Sequence, residues 1–299
     1  MGGDAGCSLV IALVGISPKG LSRFIYTKCE NVYMRKTVIV GLVVALIGAL
    51  TLVPQSYAAT YGSVSHIHSI KVFGDKALLG THEGLFEYQA ANSMKRISSE
   101  DFDVMGLASI GDTIYASGHP GAKSKLPNPI GLIASKDSGK TWKKISLQGE
   151  VDFHMLEVGK SDIYGADSGS GQLMYSANLG KSWKKLGENK YSDIAVLNTK
   201  SGSAVGLRDG ALVSTANAFS TTAAIKTSRT WSSVEALDSA LFASSRKSIY
   251  GSADNGKSWK RIATLTSEIA SITMNAKIFV AVTADAIFVS GDGGKSFKS

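Results

Sequence analysis

Ser252-Ala253-Asp254-Asn255-Gly256-Lys257-Ser258-Trp259 is the stretch that decides the fold of this chain, because the same pattern returns along the sequence. Further copies occupy residues 135–142 and 290–297, and the copy at 176–183 carries Asn in place of Asp. In such a pattern the acid or amide caps backbone N–H groups of a turn, and the glycine takes a positive φ. The aromatic residue then packs at the start of the following strand. The residues expected to shape these turns are Asp137, Gly139, Trp142, Asn178, Gly180, Trp183, Asp254, Gly256, Trp259, Asp292, Gly294 and Phe297.

Two weaker copies, at 87–94 and 214–221, complete a series with a period of about 40 residues. Each period contains short segments rich in β-branched residues, separated by Gly, Asp, Asn and Ser turns, without a helical period. Six units of four strands predict an all-β, six-bladed β-propeller over residues 59–299. Since little chain follows the last copy, we expect residues 61–65 to help complete the sixth blade.

The first 58 residues differ from the rest. A basic segment, Met34-Arg35-Lys36, precedes an apolar run over 37–53 and small residues near Ala58, a pattern typical of a signal peptide. We therefore expect a signal peptide over 34–58, or alternatively a retained N-terminal membrane anchor. Residues 1–33 are expected to be a gene-model extension or a disordered leader. The prediction places the protein outside the cell or on its surface.

Both cysteines, Cys7 and Cys29, precede this boundary, so the segment 59–299 can hold no disulfide and no thiolate metal site. The net charge is +8, but the basic residues are scattered along the chain in small groups. Charges of this kind at strand edges discourage aggregation. We expect a monomer with no nucleic-acid partner, which binds an extracellular ligand or protein. Contact with a membrane is expected only if the leader is retained.

Polar residues recur where the first strand of each unit begins. Alignment of the units makes His66, Asp103, Asp152, Asp193, Glu235 and Glu268 equivalent. Two residues further on, and so on the same strand face, the units carry His68, Met105, His154, Ala195, Leu237 and Ala270. In a propeller these strand starts and the loops between second and third strands open on one face. The candidate ligand-binding residues on that face are His66, His68, His82, His119, Asp152, His154, Asp167 and Arg208.

Imidazoles and carboxylates that converge on one face suit a transition metal ion such as zinc or copper. We predict that His66, His68 and His154 bind the metal, with Asp152 nearby and His82 or His119 completing the set. The alternative is that these polar groups hydrate the channel mouth and cap the turns of their own blades.

The repeated pattern resembles the Asp-box, or BNR repeat, of the sialidase and sortilin-like β-propellers. Three further strings, at 66–70, 118–121 and 151–154, resemble those of secreted bacterial BNR-repeat proteins that are labelled glycosyl-hydrolase-like. The resemblance implies the propeller fold and an extracellular location. Sialidases use three arginines for the substrate carboxylate, and only Arg208 and Arg246 are expected at the mouth here, so a sialidase activity is not expected.

The interpretation is therefore a secreted or surface-held propeller that binds a ligand, with a metal ion as one candidate. The alternative is a glycoside hydrolase that acts on an extracellular carbohydrate through paired carboxylates. The candidate catalytic residues for that alternative are Asp103, Asp152, Asp193 and Glu235.

Overall fold

The computed structural model describes residues 8–12, 16–17, 20–21, 24–28, 58–60, 64, 66–91 and 93–299. The chain divides into two compact units, Met1–Gln55 and Ser56–Ser299. In the first unit β1 (Ser8–Ala12) pairs with β4 (Phe24–Lys28), and β2 (Ile16–Ser17) pairs with β3 (Gly20–Leu21), both antiparallel.

Most of the predicted signal segment, residues 34–57, lies outside the described residues, as do Cys7 and Cys29. Over the part of the chain that is described, there is no helix of the length and hydropathy needed to span a membrane.

The second unit is a six-bladed β-propeller of antiparallel sheets. The inner strand of each blade contacts the inner strand of the next, and the last contacts the first, so the ring is closed. Blade 1 contains β6 (Ile67–Phe73), β7 (Lys76–Thr81), β8 (Gly84–Tyr88) and β9 (Ser93–Arg96), and β5 (Ala58–Thr60) adds to its outer edge. Blades 2 and 3 contain β10 (Phe102–Ile110), β11 (Thr113–Pro120), β12 (Leu132–Ser135), β13 (Lys143–Ser146), β14 (Phe153–Val158), β15 (Ile163–Asp167), β16 (Gln172–Ser176) and β17 (Lys184–Glu188). Blades 4 to 6 contain β18 (Asp193–Val196), β19 (Ala204–Arg208), β20 (Ala211–Thr215), β21 (Ala223–Ala224), β22 (Ser233–Leu237), β23 (Ala240–Ser245), β24 (Ser248–Ser252), β25 (Lys260–Thr264), β26 (Ile269–Met274), β27 (Phe279–Thr283) and β28 (Ile287–Ser290).

Blade 6 has three strands, and a single bridge between Val289 and Lys298 stands in the place of a fourth. Of the residues 61–65 that were expected to complete it, only Val64 is described. Val64 packs on a cluster that joins blade 1 to blade 6 and includes Leu79 and Val280. The junction between first and last blades is thus closed mainly by apolar packing.

The repeated turns have one hydrogen-bond pattern. In the copy at 252–259 the Ser252 hydroxyl donates to Asp254 Oδ1 over 2.7 Å and accepts from the Gly256 N–H over 2.9 Å. Asp254 Oδ1 also accepts from the Ser258 N–H over 2.9 Å. The copies at 135–142, 176–183 and 290–297 repeat these bonds. The side chains predicted to shape the turns therefore do so by capping backbone donors.

In blade 4 the repeated pattern begins one residue later than predicted. The copy was expected to begin at Ser214, but Thr215 Oγ1 is the hydroxyl that accepts from the Phe219 N–H over 3.0 Å. Asn217 Oδ1 accepts from the Thr221 N–H over 3.0 Å, as the aspartates do in the other turns. When the pattern is counted from Thr215, Asn217 is its third residue, and the Asn217 side chain caps the turn. When the pattern is counted from Ser214, the third residue is an alanine, which cannot cap. Phe219 has a φ of 57° where the other copies have glycine.

The tryptophans of the repeats lie at the boundaries of the blades and are half-buried. Trp142 donates its indole N–H to the Ser98 hydroxyl over 3.1 Å, and Trp259 packs at a tilt against the buried Trp231 with ring centroids 4.6 Å apart. Each of these tryptophans is partly exposed because it directly precedes an outer strand, beside an exposed turn.

Candidate functional site

Four inner strands contain a β-bulge near their start. The register with the second strand shifts at His68, Met105, His154 and Ala270, in blades 1, 2, 3 and 6. A bulge bends the strand and turns a side chain out of the regular alternation. These are four of the residues that the sequence alignment made equivalent, and two of them are histidines at the same mouth of the ring.

The first histidine set joins blade 1 to blade 2. His82 donates from Nδ1 to Asp103 Oδ2 over 2.7 Å, and His68 Nε2 lies 3.5 Å from Asp103 Oδ1. His68 Nε2 and Asp103 Oδ1 are both buried atoms with no hydrogen-bond partner among the described residues. One potential ligand atom from each of the three residues lies within 4.8 Å of the others. We call His68, His82 and Asp103 the first set.

His66 stands beside the first set without belonging to it. Its ring centroid lies 6.0 Å from that of His68 and 5.7 Å from that of His82. Burial lowers the pKa of His68; the Asp103 carboxylate opposes that effect, and the neighbouring histidines add to it. The His68 ring is therefore biased toward its neutral form.

The second set, His119, Asp152 and His154, joins blade 2 to blade 3. His154 Nε2 and His119 Nε2 both approach Asp152 Oδ2, at 2.7 and 3.0 Å. The Ser168 hydroxyl donates to the same oxygen over 2.6 Å. The other oxygen, Asp152 Oδ1, is buried and has no hydrogen-bond partner within the described part of the chain.

Asp103 and His119 connect the two sets, because they are directly paired across β10 and β11. Side chains at paired positions of antiparallel strands lie on the same face of the sheet. The predicted metal trio of His66, His68 and His154 is therefore divided. His68 belongs to the first set, His154 to the second, and His66 lies outside both.

Two other predicted ligand-binding residues have different surroundings. Asp167 accepts from the Asp152 N–H over 2.8 Å and from the Ser170 N–H over 3.1 Å. Burial acts to raise the pKa of Asp167, but these bonds, with those from the Ser170 hydroxyl and the Gly169 N–H, lower it overall. Asp167 thus stabilises the strand start that presents the second set. Arg208 is exposed at the end of β19.

Asp193 and Glu235 lie in the channel instead of at the histidine mouth. Lys71 contacts both oxygens of Glu157 over 2.7 Å and lies 3.8 Å from Glu235. Asp193 accepts from the Ser233 hydroxyl and the Val234 N–H, each over 2.9 Å. The candidate catalytic carboxylates therefore fall into two groups, with Asp103 and Asp152 each contacting histidines.

Charge and burial oppose each other in this channel cluster, which comprises Lys71, Glu157, Asp193 and Glu235. Burial alone would lower the pKa of Lys71, but the three carboxylates outweigh it and raise that pKa. Burial raises the pKa of Glu157, Glu235 and Asp193, and Lys71 opposes each of these shifts. The lysine is the cation that permits three carboxylates to share one enclosed space.

Sequence reasoning missed Lys71 and Glu157. The available signal was a single charged residue between two aliphatic residues of an inner strand, in Ile70-Lys71-Val72 and in Leu156-Glu157-Val158. Both residues line a cavity of about 230 Å³ at the ends of the inner strands, which is bordered by all six blades. The histidine sets lie at the opposite ends of these strands, so the ring has two chemically different mouths.

Neither the protein-family models nor the curated proteins contain a match to this chain. Among solved structures, YCF48 bound to D1 peptide is 14% identical with a TM-score of 0.48, over 81% of this chain and 83% of that one. The extracellular domain of BT4673 from B. thetaiotaomicron is 13% identical with a TM-score of 0.47, over 79% of this chain and 40% of that one. The strand topology described above shows the propeller fold, and these similarities say nothing about the chemistry of this chain.

Proposed function

We propose that this propeller is an extracellular ligand-binding protein that holds a divalent transition metal ion at its histidine mouth, in the first set. The observation that carries the proposal is the pair His68 Nε2 and Asp103 Oδ1. Both atoms are buried, lie 3.5 Å apart, and have no hydrogen-bond partner among the described residues. Buried polar atoms normally find partners, and a metal ion satisfies an imidazole nitrogen and a carboxylate oxygen at once.

The spacing supports this assignment. Bonds of about 2.0–2.1 Å to a tetrahedral ion place neighbouring ligand atoms about 3.3 Å apart. The separation of 3.5 Å between His68 and Asp103 is close to that value. His82 brings a third ligand atom within 4.8 Å of the other two. A small side-chain rotation of His82, which is exposed, would bring it to bonding distance.

The protonation state of His68 also favours the binding of a metal ion. A metal binds only the neutral form of an imidazole, so binding competes with protons. Burial lowers the pKa of His68, which keeps its ring available at neutral pH. Two imidazoles and one carboxylate are ligands suited to zinc and to divalent copper.

The test is isothermal titration of the metal-depleted protein with Zn²⁺ and with Cu²⁺ at pH 7.5. We expect binding with a Kd of about 1 μM or tighter. A His68→Ala/His82→Ala variant should lose the heat signal that belongs to the first set. The matched control is His66→Ala, since His66 is close to the set but is not part of it.

The control separates a true ligand set from general attraction of cations to histidines. His66→Ala should leave the affinity within about twofold of the original protein. The proposal is overturned if neither metal binds, or if His66→Ala weakens binding as much as His68→Ala/His82→Ala does. Circular dichroism spectra that match the original protein exclude unfolding as the cause of a loss.

A glycoside hydrolase activity has less support. Of its four candidate residues, Asp103 and Asp152 contact histidines, and Asp193 and Glu235 lie in the channel cluster. Membership of the Asp-box superfamily and cleavage of a signal peptide remain predictions from the sequence.

A further inference from the structure

The second set presents two imidazole nitrogens to one carboxylate oxygen. His119 faces hydrogen-bond acceptors on both sides, with Asn128 Oδ1 3.1 Å from Nδ1 and Asp152 Oδ2 3.0 Å from Nε2. Nε2 of His154 lies 2.7 Å from the same Asp152 oxygen, so potential ligand atoms from all three residues converge within 4.8 Å of one another.

Asp152 also has coordinating capacity that the protein leaves unused. Its side chain is 8% exposed, yet Oδ1 has no hydrogen-bond partner within the described residues. The backbone of Asp152 is fixed by the Asp167 carboxylate, so the side chain is held in place. Two imidazoles and a fixed carboxylate make a three-ligand set, and Asn128 and Ser168 already hold His119 and Asp152 through hydrogen bonds.

A groove between blades 3 and 4 begins at this set. It has a volume of about 530 Å³, and its lining includes His154, Met155, Ser168 and Tyr191 together with the carboxylates of Asp167 and Glu188. His154, whose side chain is 43% exposed, therefore borders both the second set and the groove. Clefts of about 300–1,000 Å³ are typical of small-molecule sites.

We propose that the second set binds a metal ion whose open coordination position receives a small ligand lying in this groove. The ligand carries an anionic oxygen donor, such as a carboxylate, attached to an apolar or aromatic body. This inference rests on the proposed function, because it requires that the histidine mouth binds metal ions.

Charge and coordination number at the metal ion define the donor group, and the carboxylates of Asp167 and Glu188 in the groove require the rest of the ligand to be uncharged. Three protein ligands leave a fourth tetrahedral position open to an outside group. A divalent ion with two neutral imidazoles and one carboxylate carries a net charge of about +1, so an anion is favoured at that position. The side chains of Met155 and Tyr191 offer apolar surface for the rest of the ligand.

The test uses Co²⁺, whose visible absorption reports its ligands, in two double variants. His68→Ala/His82→Ala keeps only the second set, and His119→Ala/His154→Ala keeps only the first. Each is titrated with acetohydroxamate and with benzohydroxamate, which share the oxygen donors and differ in the phenyl ring. In the variant that keeps the second set, we expect benzohydroxamate to bind about tenfold tighter, because its ring is buried in the groove.

Two comparisons make the result specific. Tyr191→Ala in the second-set variant should remove most of the tenfold advantage and leave Co²⁺ and acetohydroxamate binding unchanged. The variant that keeps only the first set should show no advantage for benzohydroxamate.

The outcomes separate the two proposals. If the variant that keeps only the first set does not bind Co²⁺, the proposed function fails. If only the variant with the first set binds Co²⁺, the proposed function stands and the second site is overturned. If the second set binds Co²⁺ but both hydroxamates bind equally, the groove is not the ligand site.

Discussion

Replacement of Lys71 by Met tests whether the channel cluster depends on its one cation. Lys71 contacts both oxygens of Glu157 over 2.7 Å and lies 3.8 Å from Glu235. Side-chain exposure is 16% for the lysine, 12% for Glu157 and 14% for Glu235. The Lys71→Met variant keeps most of the apolar stem and removes the ammonium, so it isolates the charge. Removal of one partner from a buried ion pair costs about 3–5 kcal/mol.

The cost should depend on pH, and the sign follows from the carboxylates. Burial holds the pKa of Glu157 and Glu235 above their unfolded values, which are about 4.3. A group of this kind contributes stability that is complete below the unfolded pKa and is lost as pH rises through the folded pKa. Without Lys71 the folded pKa values rise further. We therefore expect Lys71→Met to cost about 3–5 kcal/mol at pH 8 and about 1–2 kcal/mol at pH 5.

The assay is urea unfolding at both pH values, followed by tryptophan fluorescence. Lys76→Met is the matched control, because Lys76 makes a 2.7 Å ion pair with Glu87 but is 46% exposed. An exposed pair of that kind contributes less than about 1 kcal/mol. Adding Glu157→Gln to Lys71→Met should recover much of the loss at pH 8. A loss for Lys71→Met that equals the Lys76→Met loss, or that does not change with pH, would refute the reasoning.

Three further predictions concern the repeated turns. A hydrogen bond from the Ser258 hydroxyl is the largest cause that lowers the pKa of Asp254 to about 2. Stability from this group is therefore present above about pH 4 and lost as pH falls toward 2, so Asp254→Asn should flatten the fall in Tm over that range. Trp259→Ala should cost about 2–4 kcal/mol in urea unfolding, below the value for a fully buried indole. Asn217→Ala should cost about 1–2 kcal/mol and Ser214→Ala almost nothing, and the reverse order would contradict the corrected frame.

The fold could be predicted from the sequence because the residues of each repeated turn form hydrogen bonds with one another. Each Ser-x-Asp-x-Gly pattern fixes a local hydrogen-bond network, and local interactions are read directly from neighbouring residues. The frame error in blade 4 arose where that pattern is degenerate. Two hydroxyl residues, Ser214 and Thr215, stand side by side there, and only the backbone decides which of them accepts from the turn.

The site could be predicted only in part from the sequence, because its contacts join residues of different blades. The sequence identified all of the histidines and both carboxylates of the two sets, and the alignment placed His68 and His154 at equivalent positions. It could not show that His119 reaches Asp152 in the next blade. That contact depends on how far β11 extends before the loop that follows it, and here the strand continues to Pro120.

Strand register explains why the predicted ring of acids divides into two groups. In blades 2 and 3 a bulge follows the acid, so Asp103 and Asp152 lie before it, at the mouth. Blades 4 and 5 show no register shift between their first two strands. In blade 5, Glu235 and Phe242 form the third residue pair between these strands. A bulge inserts one extra residue into the first strand. Without that residue the acid lies at a different depth in the channel, and its side chain points to the other face of the sheet, because side chains alternate along a strand. The bulges therefore keep Asp103 and Asp152 beside the histidines, at the proposed metal sites, while the regular first strand of blade 5 places Glu235 beside Lys71 in the channel.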